Sequence, residues 1–219
     1  MFLTEEQADS MRSLYSLSRV TCVNNYVNVA DYADGSSNEG GQFRVLFLGR
    51  LDPDKGLMEA IQGFVAARKP GWEMRVAGNG PLLSDVLRLT RTHSDIKYLG
   101  FVGERNLIDL LGWADVLVLP STHEGLPYAV LEAAASNTAL VTSGVGALPH
   151  VVQDGVTGYI IPPRDALSLA QALARLDSDR SCLEQMKRSA RALIEREYSH
   201  DHLRNDFALI WTEAFGQAL

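Results

Sequence analysis

The stretch DVLVLPSTHEGLPYAVLEAAA (115–135) decides how this chain folds. An apolar run from Val116 to Leu119 ends at Pro120, a polar turn follows, and an Ala- and Leu-rich run begins near Pro127. A strand apolar on both faces followed by a helix is the repeating unit of a parallel α/β sheet. Glu124 lies in the turn, and Glu132 sits about a turn and a half into the predicted helix. Two carboxylates thus attend one helix N-terminus, where the first amides lack intrahelical partners and the macrodipole is positive. Such a site takes anions, while carboxylates accept from hydroxyls, so the pattern points to a hydroxyl-rich phosphate.

A second strand-to-helix junction supports that chemistry. GRLDPDKGL (49–57) follows the strand-like FRVLFL (43–48) and opens another helix, so Arg50 and Lys55 reach one cleft. Two fixed cations stabilise a diphosphate and, more strongly, the charge of a departing nucleoside diphosphate. Together with the two carboxylates they describe a sugar-nucleotide site. The bland alternative has Arg50 and Lys55 paired with Asp52 and Asp54 on a solvated turn, where ion pairs contribute little.

Strand-like runs at 43–48, 73–77, 96–99, 115–119, 138–142 and 157–161 alternate with helix-like ones. This predicts a Rossmann-like, doubly wound parallel sheet of about six strands with helices on both faces and ligands at the strands' carboxyl ends. Helical spacing over 165–175, 180–197 and 200–214 with no intervening strand predicts a helical C-terminal tail. Leu203, Phe207, Ile210, Trp211 and Ala214 share one face of its last helix, as packing on this domain or on a partner, so self-association through it is plausible. Residues 3–17 are weakly helical, and ADGSSNEGG (33–41) reads as a linker, giving an N-terminal segment 1–41 and a main domain 42–219.

With 219 residues, 46% of them hydrophobic, the chain holds about one sizeable core. A net charge of −7 argues against nucleic acid, which requires a basic face. Cys22 and Cys182 lack metal or redox spacing, and His200 and His202 lack further ligands, so no metal is assigned. No apolar run is long enough to span a membrane, and acids stand where a signal peptide has bases, so the expectation is a cytoplasmic protein.

The order of VTCVNNYV (20–27), GRLDPDKG (49–56), AGNGP (77–81), YLGFV (98–102), the glutamate segment and DGVTGYIIP (154–162) resembles the C-terminal, donor-binding domain of retaining nucleotide-sugar glycosyltransferases of GT-B architecture. The resemblance implies that Arg50 and Lys55 hold the donor diphosphate and, with Glu124, form the catalytic set. Glu124 would hold the donor sugar and Glu132 the ribose hydroxyls. Gly125, Leu126, Pro127, Tyr128 and Ala129 would form the loop whose backbone amides touch sugar and phosphate, and Gly100, Phe101 and Val102 would meet the base. A UDP- or GDP-linked donor, a hexosyl-type group, no cofactor or metal, and peripheral attachment of the intact protein to the inner membrane are further implications. The chain departs from the family pattern at Asn25, where glycine is usual, and at Ala147 and His150. The resemblance further implies an acceptor-binding domain that this stretch lacks, with the strand-like VTCV and NNYV (20–27) at the interdomain junction, so transfer by the chain alone is not expected.

Three other classes compete with this reading. A dinucleotide oxidoreductase is disfavoured because Leu83 stands where the loop after Gly78 and Gly80 needs a third small residue. A glycoside hydrolase would use Glu124 and Glu132 as an acid–base pair but has no need of the two cations. A sugar-nucleotide-binding module without activity of its own is the nearest competitor.

Overall fold

The computed structural model describes residues 5–15, 23–32 and 41–216. Much of the expected 33–41 linker and Val20 to Cys22 of the first motif therefore lie outside the described residues. Helix α1 (Glu5–Tyr15) leads, and a 3-10 turn follows at Val29–Asp31. The main body then alternates: β1 (Phe43–Leu48), α2 (Leu57–Ala67), β2 (Trp72–Ala77), α3 (Leu83–Thr92), β3 (Ile96–Gly100), α4 (Glu104–Trp113), β4 (Val116–Leu119) and α5 (Tyr128–Ala135). It continues through β5 (Ala139–Ser143), the short α6 (Leu148–Val151) and β6 (Gly158–Ile161), and ends in α7 (Ala166–Ser178), α8 (Arg180–Glu197) and α9 (His200–Phe215).

The six strands form one sheet in the order β3-β2-β1-β4-β5-β6, all neighbours parallel. Val45 lies opposite Val116, and Val116 opposite Ala139, so the register runs unbroken through the centre. The order reverses direction between β1 and β4. Because parallel crossovers are right-handed, helices on the two sides of that reversal fall on opposite faces. Accordingly α2 packs with α7, while α5 packs with α4 and α8. Covered on both faces, the central strands need no polar alternation: every residue of β4 and β5 is buried. Phe43, Phe47, Phe64, Leu117 and Leu131 are each fully buried, worth about 1.5–3 kcal/mol apiece.

Side-chain caps set the starts of the tail helices. Asp165 accepts from the amides of Leu167 and Ser168, Asp179 from Cys182, and Ser199 from His202. Helix α8 is also held by a buried ion pair, Lys187 Nζ to Asp115 Oδ1 at 3.0 Å, with Asp115 Oδ2 accepting from the Arg44 amide at 2.9 Å. The pairing matters because a charge buried alone is strongly destabilising.

One local expectation needs correcting. Residues 23–27, read as strand-like, form no ladder, and only Val27 makes an isolated bridge, to Ser199. The segment is instead anchored by side chains. Tyr26 Oη donates to Asp206 Oδ2 of α9 at 2.5 Å, and the Tyr26 ring stacks on His202. On α9, Phe207 and Trp211 are 48% and 43% exposed, while Leu203 and Ile210 are half-buried, so the shared face is only partly covered. The Ala214 side chain is outside the described residues.

Candidate functional site

Where strand order reverses, the two flanking strands send their following loops to opposite faces and leave a crevice at their carboxyl ends. Here those strands are β1 and β4, followed by the loops 49–56 and 120–127, which carry both motifs singled out in the sequence. Close approach of the loops is enforced at Gly56 (φ +69°), where a Cβ would fall 2.2 Å from the Pro120 carbonyl oxygen. Thr122 N reinforces it by donating to Asp54 O at 2.8 Å.

This approach brings Lys55 and Glu124 together. Lys55 Nζ lies 2.7 Å from both carboxylate oxygens of Glu124. Ser121 Oγ donates to Glu124 Oε1 at 2.8 Å, and Ser143 Oγ on β5 donates to the Ser121 carbonyl. The Glu124 side chain is 5% exposed and that of Lys55 26%, so the pair sits at the crevice floor with Lys55 as its more exposed member. An ammonium has three donors and a carboxylate about four acceptor positions, so both keep capacity for a ligand. Arg50 behaves differently. Its guanidinium is 66% exposed and pairs with Asp52 at 2.8 Å, while Asp52 also caps the 3-10 turn Pro53–Lys55. The solvated-turn alternative therefore describes Arg50 in this state, and it fails for Lys55.

The glutamate loop is braced from three sides. Gly125 O accepts from Ala147 N at 3.0 Å, and at Gly146 (φ +57°) a Cβ would fall 1.9 Å from Glu124 O. Asn25 Nδ2, from the segment before the sheet, donates to Leu126 O at 2.6 Å. Leu126 is buried, Pro127 is the extended N-cap of α5, and that helix start has no side-chain cap. Tyr128 is 54% exposed at its first position and Ala129 half-buried beside it. The α5 amides thus open on the crevice that Lys55 borders.

Glu132, on the fifth position of α5, keeps different company from Glu124. Tyr32 Oη donates to Glu132 Oε1 at 3.2 Å. Burial raises the Glu132 carboxyl above its ordinary value, with the Tyr32 hydrogen bond working in the opposite sense. Burial, and then the Glu132 charge, push the Tyr32 phenol well above its ordinary range, so it remains a donor. The carboxylate borders a cavity of about 490 Å³ shared with Asp31, Tyr32, Glu104, Arg105, Leu107 and Ile108. Nearby, β3 ends at Gly100 (φ +75°), whose carbonyl accepts from Gly78 N, followed by Phe101, 84% exposed, and the half-buried Val102. Gly78 and Gly80 belong to a loop that packs on 49–51 through Leu51 N to Asn79 O and Leu82 N to Leu51 O, a structural role.

The residues that the sequence alone does not assign are Tyr32, Asn25 and Ser121. Asn25 had a signal, its departure from the family pattern. Tyr32 had none, because its partner is one hundred residues away.

Comparison with known proteins fits this geometry. A family described as "Glycosyl transferases group 1" matches residues 42–179. Glycogen synthase of Mycobacterium tuberculosis is 30% identical over 204 residues, covering 90% of this chain and 49% of that protein. Alpha-D-kanosaminyltransferase of Streptomyces kanamyceticus is 27% identical over 174 residues, covering 77% of this chain and 45% of its own length. The chain thus spans about half the length of these relatives. The crystallised C-terminal domain of a group 1 family glycosyl transferase from Francisella tularensis superposes with TM-score 0.72 at 22% identity, over 80% of this chain and 99% of that one. An Anabaena protein crystallised with UDP and glucose superposes with TM-score 0.83 at 16% identity, over 97% of this chain and 62% of that one. The chain therefore belongs to the group 1 glycosyltransferases and has the Rossmann-like fold of their C-terminal, GT-B-type domain.

Proposed function

We propose that this chain is the donor-binding half of a retaining glycosyltransferase that moves a hexosyl-type group from a UDP- or GDP-sugar to a glycan, lipid or small-molecule acceptor. The observation that carries the reading is the Lys55–Glu124 pair at the sheet's switch point, beside an uncapped helix start and a second carboxylate on the same helix. The α5 amides and the third ammonium donor of Lys55 would hold the diphosphate. Glu124, fixed by Lys55 and Ser121, would accept from the sugar, and Glu132 from the ribose hydroxyls. Arg50, exposed and paired among the described residues with Asp52, would exchange that carboxylate for the leaving diphosphate. The main chain at Gly100 to Val102 would border the base. Fixed cations supply the charge stabilisation in this scheme, so donor binding should persist in EDTA.

The test is calorimetric titration with UDP, GDP and their nucleosides. Lys55→Ala and Arg50→Ala should each weaken the diphosphates about tenfold or more and leave the nucleosides nearly unchanged, with the diphosphate preference falling as salt rises. Equal effects on nucleoside and diphosphate would defeat the reading.

A complementary expectation follows from the span of the chain, about half of its relatives. Binding a donor needs one wall of a cleft, whereas placing an acceptor and excluding water need two. The 219-residue chain should therefore bind the nucleotide weakly and transfer no sugar until an acceptor-binding domain is supplied. Efficient transfer by the purified chain would overturn that division. Among the described residues no helix is long and apolar enough to cross a membrane, and a cytoplasmic location with peripheral membrane attachment of the intact protein remains part of the proposal.

A further inference from the structure

The turn preceding the sheet reaches the site through a side chain with no assigned role. Tyr32 leaves the Val29–Asp31 turn, packs its ring against the core and sets its hydroxyl 3.2 Å from Glu132 Oε1. Its position is fixed from behind. Arg191 of α8 donates through Nη1 to Tyr32 O at 3.2 Å and to Ala135 O at 2.8 Å. Ala135 ends α5, three residues after Glu132, so one guanidinium holds both the backbone carrying the phenol and the helix carrying the carboxylate. The phenol and the carboxylate are held in register from two elements, which a passing surface contact would not require.

We propose that Tyr32 is a positioning residue for nucleotide binding, its hydroxyl keeping Glu132 ionised beside the cavity between the 29–32 turn and α4. The proposal rests on the reading that Glu132 accepts ribose hydroxyls from a nucleoside diphosphate. Tyr32 uses one of about four acceptor positions on the carboxylate and leaves the others for a ligand. An ionised, half-buried carboxylate is costly unless a donor accompanies it, and protonation would leave it fewer acceptor positions and weaker, uncharged hydrogen bonds to ribose hydroxyls. Other charged groups around the cavity are Asp31 on the same turn and Glu104 and Arg105 at the start of α4, with Arg191 and its partner Glu195 behind on α8. Asp31 and Glu104 are acids and oppose ionisation of Glu132, Arg105 favours it through space, and the Tyr32 hydroxyl favours it by a direct hydrogen bond.

The experiment uses the full chain, with UDP and GDP as probes and wild type, Tyr32→Phe and Glu132→Gln titrated across acidic to neutral pH. Wild-type affinity should fall on the acid side, and Glu132→Gln should be weaker and flat. Tyr32→Phe keeps the ring and its packing. It should match wild type within about twofold at the alkaline plateau, while its acid midpoint moves up by about 0.5–1 pH unit. A uniform loss with an unmoved midpoint would assign Tyr32 to packing alone and overturn the proposal. If Glu132→Gln equals wild type at every pH, the reading of Glu132 fails and the positioning role falls with it. Carbon-13 titration of the Glu132 carboxyl in ligand-free protein separates the two cases. An upward shift in Tyr32→Phe supports the hydrogen bond's role whatever the ligand proves to be, and no shift refutes it.

Discussion

Glu124 and Glu132 stand eight positions apart on one strand-loop-helix unit, yet the fold treats them in opposite ways. Glu124 is almost fully buried and fully compensated, with an ammonium on both oxygens and a serine hydroxyl on one. Glu132 is half-buried with the Tyr32 phenol as its hydrogen-bond partner among the described residues, and burial raises its carboxyl. Burial alone does not decide the state of a carboxylate; what accompanies it does. A compensated carboxylate is a rigid fixture suited to orienting a ligand, whereas an under-compensated one gains most when ligand hydroxyls arrive.

The sharpest way to break this contrast is to remove the compensation. Lys55→Ala should destabilise the fold by about 2 kcal/mol, below the range for fully buried pairs because the ammonium is partly exposed. Lys55→Ala/Glu124→Gln should recover part of that loss in urea denaturation. Simple additivity of the two single changes would mean that the pair carries no coupling.

The opposite result is expected at the second glutamate. Glu132→Gln should cost about 1.5–3 kcal/mol of nucleoside diphosphate affinity while raising Tm at neutral pH. The sign follows from burial. The folded carboxyl titrates above its unfolded value, so the native state binds more protons between the two values and stability falls as pH rises through that window. The penalty is complete above the folded value and absent below the unfolded one, about 4.3. The Tm advantage of the variant should therefore be largest near neutrality and vanish in acid. An advantage that grows in acid would contradict the assignment of burial as the cause.

A smaller effect tests whether the loop between the glutamates is positioned from outside the sheet. Asn25→Ala removes one hydrogen bond to Leu126 O and should weaken a UDP-sugar by about 1 kcal/mol while sparing free UDP. Equal weakening of both would place the effect on the nucleotide instead. The smallest change should be the stability of Arg50→Ala, within about 0.5 kcal/mol of wild type, because its pair with Asp52 is largely solvated. A larger loss would show that Arg50 holds the loop as well as waiting at it.

The fold was legible because its signal is local. β1 begins and ends where the apolar run 43–48 does, and the other strands lie within one residue of their expected ends, since strands covered on both faces need only a continuous apolar run between turn residues. The failure at 23–27 has the same origin: a short apolar-looking stretch carries no mark of whether an edge is available to pair with, and here the Tyr26 and Asn25 side chains found partners of their own, Asp206 and the Leu126 carbonyl. Candidate site residues were legible as chemical types placed at strand ends, and their side-chain partners were not.

By itself, then, the sequence determined the alternation of strands and helices, the family, and which side chains stand after β1, β3 and β4. Only the tertiary structure decided that Lys55 joins Glu124 while Arg50 stays with Asp52, and that Tyr32 meets Glu132 with Arg191 bonded to the backbone behind them. The reason is physical. Periodicity and turn chemistry act between residues a few positions apart, whereas these pairings join residues 69, 100 and 56 positions apart, and they exist only because a sheet that reverses its order brings distant loops to one crevice.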